Sequence, residues 1–289
     1  MNRRRFLAIS AAFAATPAFA TPQVQNWHGT GLGSALHLQL VGVAPNRAAL
    51  IWAKVEAVIA RVEAAVSLHQ DSALTRLNRD GRIAYPNADL AALMTLSAQV
   101  HTATKGAFDP SIQPLWLAQA NGGDTKAAAD LVGWSRISHT ETAVTLPRGA
   151  ALTFNGIAQG WAADQIADLL RSFGLTDVLI DMGEVVAIGQ NQNRSPWRAA
   201  ISTPSGAELT RVNLTNRALA TSSPRGTVIG HNKPHILHPR LTPLWDTVSV
   251  SAPNAALADA LSTAFCLMPR AAIDTALAAF PTARLEALA

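Results

Sequence analysis

The sequence predicts a chain of mixed helices and strands, with helical and extended segments following one another, and three stretches carry that expectation. From Asn46 to Val66 the apolar residues Ile51, Val55, Val58, Ile59 and Val62 recur at the spacing of one helix face. From Ala35 to Val41, Leu36, Leu38 and Leu40 alternate with His37 and Gln39, the period of a half-buried strand. Leu152 to Gly189 combines both periods, reading as loop, helix, turn, strand, glycine turn and strand.

That last stretch is the most informative. Asn155 is expected to cap its helix, because a side-chain oxygen there can accept an orphan N–H of the first turn. Ala162, Ile166, Leu169, Leu170 and Phe173 form one apolar face. Gly174 stands where a helix ends in the left-handed region. Val178-Leu179-Ile180 reads as a short buried strand, Gly183 breaks it, and Val185 to Ile188 resumes in extended form. Gly156 and Gly160 admit two readings. They bring backbone N–H groups close to a phosphate at the helix N-terminus, or they only let two helices pack tightly.

The other elements follow in order. His37 is expected to be a polar residue on a strand face, and Trp52 a packing residue at the margin of its helix. Ser67 to Asn78 reads as a polar linker with weak helix character. Asp89 to Thr104 is a second helix, ended by Gly106. Pro110 and Pro114 mark Gly106 to Trp116 as a rigid, irregular loop, with Asp109 held extended before proline. Asn121 to Ala129 reads as an exposed loop. Trp197 to Ser202 and Leu209 to Leu214 suggest an antiparallel pair, and Gly226 to Pro234 a loop. Val248 to Ala252 is a strand, and Leu257 to Leu267 a helix.

Composition bounds the possibilities. The chain has 289 residues, 49% of them hydrophobic, enough for a substantial core in one or two domains. Its first residues combine Arg3-Arg4-Arg5-Phe6-Leu7, an alanine-rich apolar run, and Ala18-Phe19-Ala20. This is the pattern of a cleavable export signal of the twin-arginine type, with cleavage expected after Ala20. An uncleaved anchor is the alternative, although the run is short for a membrane span. Residues 1–20 carry three arginines and no acid, so their removal lowers the formal charge of +4 by three. The basic balance is therefore no argument for nucleic-acid binding, and none is expected. The single Cys266 lies in an apolar run and can form no internal disulfide.

Four segments resemble the ApbE-type flavin transferases. Gly156-Ile157-Ala158, Gly160-Trp161-Ala162 and Asp164 fall in register with that family's central motif. Gln159 replaces its lysine, Thr153 replaces its aspartate, and a glycine pair is reduced to Gly183-Glu184. Gly106-Ala107-Phe108-Asp109-Pro110 through Leu115 is similar to a segment that lines the family's FAD site. His235-Ile236-Leu237-His238-Pro239-Arg240 keeps the family's histidine, with His238 in the place of an aspartate. Ala258-Asp259-Ala260-Leu261-Ser262-Thr263-Ala264 carries its motif unchanged. Arg217 to Ser223 adds a weaker match, and the resemblance spans about residues 31–270.

The resemblance implies a single α+β domain over residues 21–289, with antiparallel or mixed sheets flanked by helices. It implies an FMN transfer from FAD to a threonine of an acceptor protein, with release of AMP. Asp259 and Thr263 lie four apart on a helix and share a face. With the Gly156 carbonyl they would supply hard oxygen donors for Mg²⁺. His235 is the implied base. Ala107, Phe108, Asp109, Thr153, Gln159 and Ile236 are the implied FAD-binding residues. Arg240 or Lys233 is a possible substitute for the missing lysine charge. The implied setting is the periplasm, with a membrane-associated redox subunit as acceptor. Two other readings stay open on the sequence: a flavin-binding or FAD-hydrolysing relative that does not transfer, and a non-catalytic periplasmic binding protein.

Overall fold

The computed structural model describes residues 22–289. The expected export segment, residues 1–20, lies outside them. Seven strands make the main sheet, in chain order Val24–Gly31, Ser34–Val41, Val178–Asp181, Val185–Ile188, Arg217–Ser222, Val248–Ala252 and Arg284–Leu288. Every neighbouring pair is antiparallel. Of the two expected sheet arrangements, the main sheet is the antiparallel one. A small sheet of Arg82–Ala84, Ala143–Thr145 and Ser138–His139 stands apart from it.

Among the described residues, eight α-helices accompany the sheets: α1 (Pro45–Val66), α2 (Ala73–Asp80), α3 (Ala88–Ala103), α4 (Gln113–Asn121), α5 (Thr125–Leu131), α6 (Ala158–Ser172), α7 (Ala255–Phe265) and α8 (Arg270–Leu277). One sheet face is covered by α1, α6 and α7. Ile51, Val55, Ile59 and Val62 of α1 are buried, and Val58 flanks them half-buried. The stripe packs on the first strand, as expected of it, and also on α6. Leu36, Leu38 and Leu40 enter the same core. Each such side chain contributes roughly 1.5–3 kcal/mol by leaving water. The other face is covered by the hairpin of Trp197–Ser202 and Glu208–Leu214, whose Trp197, Ile201 and Leu214 pack on Ala187 and Leu219.

Trp52 stacks on Trp27 at 6.3 Å, at the edge of its helix. His37 is half-buried on the sheet face opposite α1, bonded to Asn26 and stacked on His28. Gly174 takes φ +72° just after α6, and Gly183 takes φ +98° between its two strands. Both values belong to the region that side chains resist. Cys266 is fully buried, and burial pushes its thiol up to about 12.

Local capping overturns several expectations. Asn155 does not cap α6. The helix begins after Ile157, which makes no side-chain cap bond, and Asn155 is exposed two residues earlier. The 67–78 linker contains a real helix, α2, fixed by a reciprocal capping box of Ser72 and Thr75 and by buried Leu74 and Leu77. Pro114 lies in the first turn of α4. A missing N–H costs nothing there, so the proline opens a helix and does not extend the loop. Asp124 caps α5 through Lys126 and Ala127, making a helix of the presumed exposed loop. The strand Val24–Gly31 was hidden by its polar residues, which face outward.

Helices α6 and α7 meet at a tight joint. A side chain on Gly160 would place Cβ 2.4 Å from the Ala255 carbonyl oxygen. Gly160 therefore fits the close-packing reading. Asn254 makes no side-chain cap bond to α7. Asp164 of α6 does that work instead, accepting from Ala255 N at 2.7 Å and Ala256 N at 2.9 Å. Asp164→Ala removes both acceptors and is expected to cost about 2–4 kcal/mol. Gly160→Ala is expected to cost about 3 kcal/mol through overpacking. Calorimetric melting checks both. Changes within about 0.5 kcal/mol, the usual range at surface sites, would mean that the joint does not hold α7.

Candidate functional site

The joint sets the floor of a cavity of about 500 Å³. Asp259 and Thr263 reach it from α7, one helical turn apart. Asp259 is only 4% exposed and accepts a long bond, 3.4 Å, from Gly160 N. Gly156, in the turn before α6, sits directly against Thr263. A Cβ there would lie 3.0 Å from Thr263 Oγ1. Ser222, at the end of its strand, bonds Ser262 Oγ at 2.7 Å and lies 3.3 Å from Thr263 Oγ1.

The opposite wall comes from the segment after α3. Thr104 Oγ1 accepts from Phe108 N, and the Phe108 carbonyl meets His101 Nδ1 at 2.8 Å. Asp109 is extended, as its following proline requires. It accepts from Ser111 N at 2.8 Å and Ser111 Oγ at 2.6 Å. It is thus a turn-forming residue and a cavity residue at once. Thr153 is tied to the same loop through its N–H to the Pro110 carbonyl.

His235 is aimed by its own loop. Its Nδ1 lies 3.0 Å from the carbonyls of both Pro224 and Thr227. A carbonyl only accepts, so Nδ1 carries the proton and Nε2 keeps a free lone pair. His238 has the opposite tautomer. Its Nδ1 accepts from Arg240 N and Leu241 N, each at 3.0 Å. It reproduces the turn-capping bonds that an aspartate makes, which accounts for the replacement at that position. Burial lowers its proton affinity.

All ten expected site residues line this one cavity: Ala107, Phe108, Asp109, Thr153, Gly156, Gln159, His235, Ile236, Asp259 and Thr263. Gln159 donates to Ser34 Oγ, which turns its amide toward the start of the second strand. Gln159 and Asn155 also line a second cavity of about 570 Å³, bounded by Leu32, Glu63, Leu68 and His69. Neither Arg240 nor Lys233 lines either cavity, so neither replaces the missing lysine charge there.

Several lining residues, among them Trp116, Asn155, Ser222 and Glu184, were not among the expected site residues, and Glu184 matters most. Glu184 follows the Gly183 turn, is buried, and has an Oε2 with no partner among the described residues. The signal was the acid directly after a turn glycine. Among the described residues, the lining holds the acids Asp109, Glu184 and Asp259, and no lysine or arginine. Burial raises the pKa of Glu184 well above its ordinary value, with the Asp259 charge adding to it. Burial also pushes Asp259 up to about 7, against the pull of the Gly160 N–H.

The Asp259 shift has a testable sign. Its folded pKa lies above its unfolded value, so its contribution to stability is complete at low pH and is lost as pH rises through about 7. Asp259→Asn cannot lose it. In metal-free buffer the variant should melt above wild type at about pH 8, and this advantage should shrink steadily as pH falls below about 7 and vanish only below the ordinary carboxylate value of 3.8. A melting difference that stays constant across that range would show that Asp259 is not held under this strain.

Known proteins share this architecture. The flavin transferase ApbE from Vibrio cholerae superposes with a TM-score of 0.78 at 21% identity, covering 89% of this chain and 91% of its own. The apo form of Pseudomonas stutzeri flavinyl transferase ApbE gives 0.77 at 25% identity, with 90% and 89% covered. In sequence, the chain is 25% identical over 280 residues to the FAD:protein FMN transferase of Salmonella typhimurium, covering 86% of this chain and 80% of that protein. The ApbE family model matches residues 32–288, and the chain belongs to the ApbE family.

Proposed function

We propose that this protein is an Mg²⁺-dependent FAD:protein FMN transferase that attaches FMN to a threonine of an acceptor protein and releases AMP. The observation that carries this reading is a single cavity uniting an acceptor nitrogen, His235 Nε2, with the oxygen set of Asp259, Thr263 and Gly156. Named relatives with that activity support it. The absence of lysine and arginine from the lining also supports it. A pyrophosphate dianion facing three carboxylates is repelled unless a cation intervenes.

The donor set fits magnesium. Asp259, Thr263 and the Gly156 carbonyl are hard oxygens, and the carboxylates present have no protein cation to neutralise them. These residues would hold the ion. Once bound, Mg²⁺ supplies charge neutralisation at the phosphate oxygens. The protein's own residues do the rest. His235 Nε2 takes the proton of the acceptor hydroxyl as its oxygen attacks the FMN-side phosphorus. The P–O bond to the AMP phosphate breaks, and its electron pair leaves with AMP. Pro224 and Thr227 hold the imidazole in the basic tautomer throughout. Phe108, Ile236 and Leu237 give the cavity an apolar wall. FAD carries a ring system at each end of its pyrophosphate, and the second cavity beyond Gln159 offers room for the other end.

Gln159 motivates a second reading, a relative that binds or hydrolyses FAD without transfer. Free FMN and AMP as products would identify it. Export by the twin-arginine route to the periplasm, and a membrane-associated redox subunit as acceptor, belong to the main reading. Arg3-Arg4 and the run to Ala20 support the route.

The test is in-gel flavin fluorescence of a threonine-containing acceptor co-expressed with the enzyme. His235→Ala should slow transfer by about 10²–10⁴-fold while FAD still binds. Gln159→Lys should raise activity or FAD affinity by roughly one to two powers of ten, the worth of a charged hydrogen bond. Absence of labelling with wild type and both variants, with FAD bound, would replace the transferase reading by the flavin-binding one.

A further inference from the structure

We propose that Glu184 is a second carboxylate ligand of the divalent cation, so that the ion is held by two anionic side chains from two different elements. The inference rests on the metal reading above and gives a role to a residue to which the motif comparison assigned none.

Three observations carry it. Glu184 is 6% exposed, lines the cavity and leaves Oε2 enclosed without a partner among the described residues. A buried carboxylate without a bond or counter-charge is costly, and native proteins pair such groups or give them to metals. Its own backbone N–H is the one protein donor to the Glu184 carboxylate among the described residues, and Oε2 receives none. Of the polar side chains near the Gly183 turn, Gln159 donates to Ser34 and makes no bond to Glu184. No lysine or arginine lines the cavity. Third, Asp259 and Glu184 are both buried and both line this one cavity. Two buried like charges sharing one cavity mark a place for a cation.

The two carboxylates arrive from opposite layers. Asp259 rides on α7, and Glu184 on the turn between the strands Val178–Asp181 and Val185–Ile188. An ion held by both would clamp the helix layer to the sheet. Among the described residues no three histidines, cysteines or acids form a metal cluster. The set is therefore two carboxylates completed by the Thr263 hydroxyl, the Gly156 carbonyl and water. That composition suits Mg²⁺ or Mn²⁺ and not a softer metal.

The experiment titrates Mg²⁺ and, separately, Mn²⁺ into the whole protein without FAD. Affinity is read by calorimetry and by the rise in melting temperature. Wild type, Glu184→Gln, Glu184→Asp and Asp259→Asn are compared. Glu184→Gln keeps the shape of the side chain and removes a buried charge, so it should fold and, without metal, melt above wild type. Its Mg²⁺ affinity should fall at least about tenfold, as ligand-sphere changes do. Its metal-induced rise in melting temperature should shrink in proportion, and Glu184→Asp should retain part of it. Unchanged affinity in Glu184→Gln beside a loss in Asp259→Asn overturns this proposal and leaves the metal reading intact. No Mg²⁺ binding by wild type overturns both.

Discussion

The site depends on the contact between the start of α6 and the start of α7. Gly160 lets the two backbones approach to a distance no side chain permits. Asp164 then supplies the cap that Asn254 does not make, and joins α6 to the first N–H groups of α7. Thr263 lies on α7 two turns beyond that cap, and Gly156 lies in the turn leading into α6. The closeness of Gly156 to Thr263 is a consequence of this joint. A rotation of α7 by a fraction of a turn would separate Asp259 from Glu184 and would carry Thr263 away from Gly156. The motif is thus conformational before it is chemical: its glycine and its aspartate place the donors that other residues provide.

The cavity is built at a cost to the empty protein. Three carboxylates share its walls with no lysine or arginine, and two of them are almost wholly buried. Charges kept from water and from counter-ions are strained, and their raised proton affinities express that strain. On the proposed function, this strain would be relieved when a cation and a pyrophosphate enter together, because the ion would satisfy the carboxylates and the phosphate oxygens at the same time. The imidazole of His235 is oriented separately. Its orientation comes from two loop carbonyls and does not rely on the carboxylates. The proposed base and the proposed cation site could therefore be altered independently.

The sequence made the helices and strands with strong apolar periods legible. α1, α6 and α7 and the strands from 178 to 188 stand where their spacing places them, within a few residues. What stayed hidden was decided by single side chains. The capping box at Ser72 and the cap at Asp124 make helices from polar stretches that carry no apolar period. Pro114 opens a helix where it reads as a loop former. Asn155 has the chemistry of a cap, but the chain makes one more turn before α6 begins. The site residues were legible only through four scattered motifs read against a family. Spacing along the chain does not show that Phe108, Gly156, Ser222, His235 and Asp259 share one cavity. Glu184 entered the sequence comparison only as part of a reduced glycine pair, with no role attached. Only its burial, with one oxygen unpartnered, reveals it.

Gln159 and Glu184 are two sides of one electrostatic question. A side chain on Gly183 would lie 3.8 Å from the Gln159 amide, so residue 159 borders the turn that carries Glu184. A lysine at 159 would bring a positive charge to that turn and share the neutralisation of the cavity with the metal. Glutamine brings none, and one of its N–H groups is turned to Ser34. On the proposed function, the whole compensating charge would then fall to the divalent cation. On this account the substitution need not abolish the chemistry. It makes binding of the nucleotide and binding of the ion more strongly interdependent, because neither can enter the anionic cavity favourably without the other. A lysine restored at 159 would loosen that coupling: FAD would bind better at low Mg²⁺, while the advantage would shrink at saturating Mg²⁺. The outcome depends on the sum of charges around one cavity, which no single motif position determines.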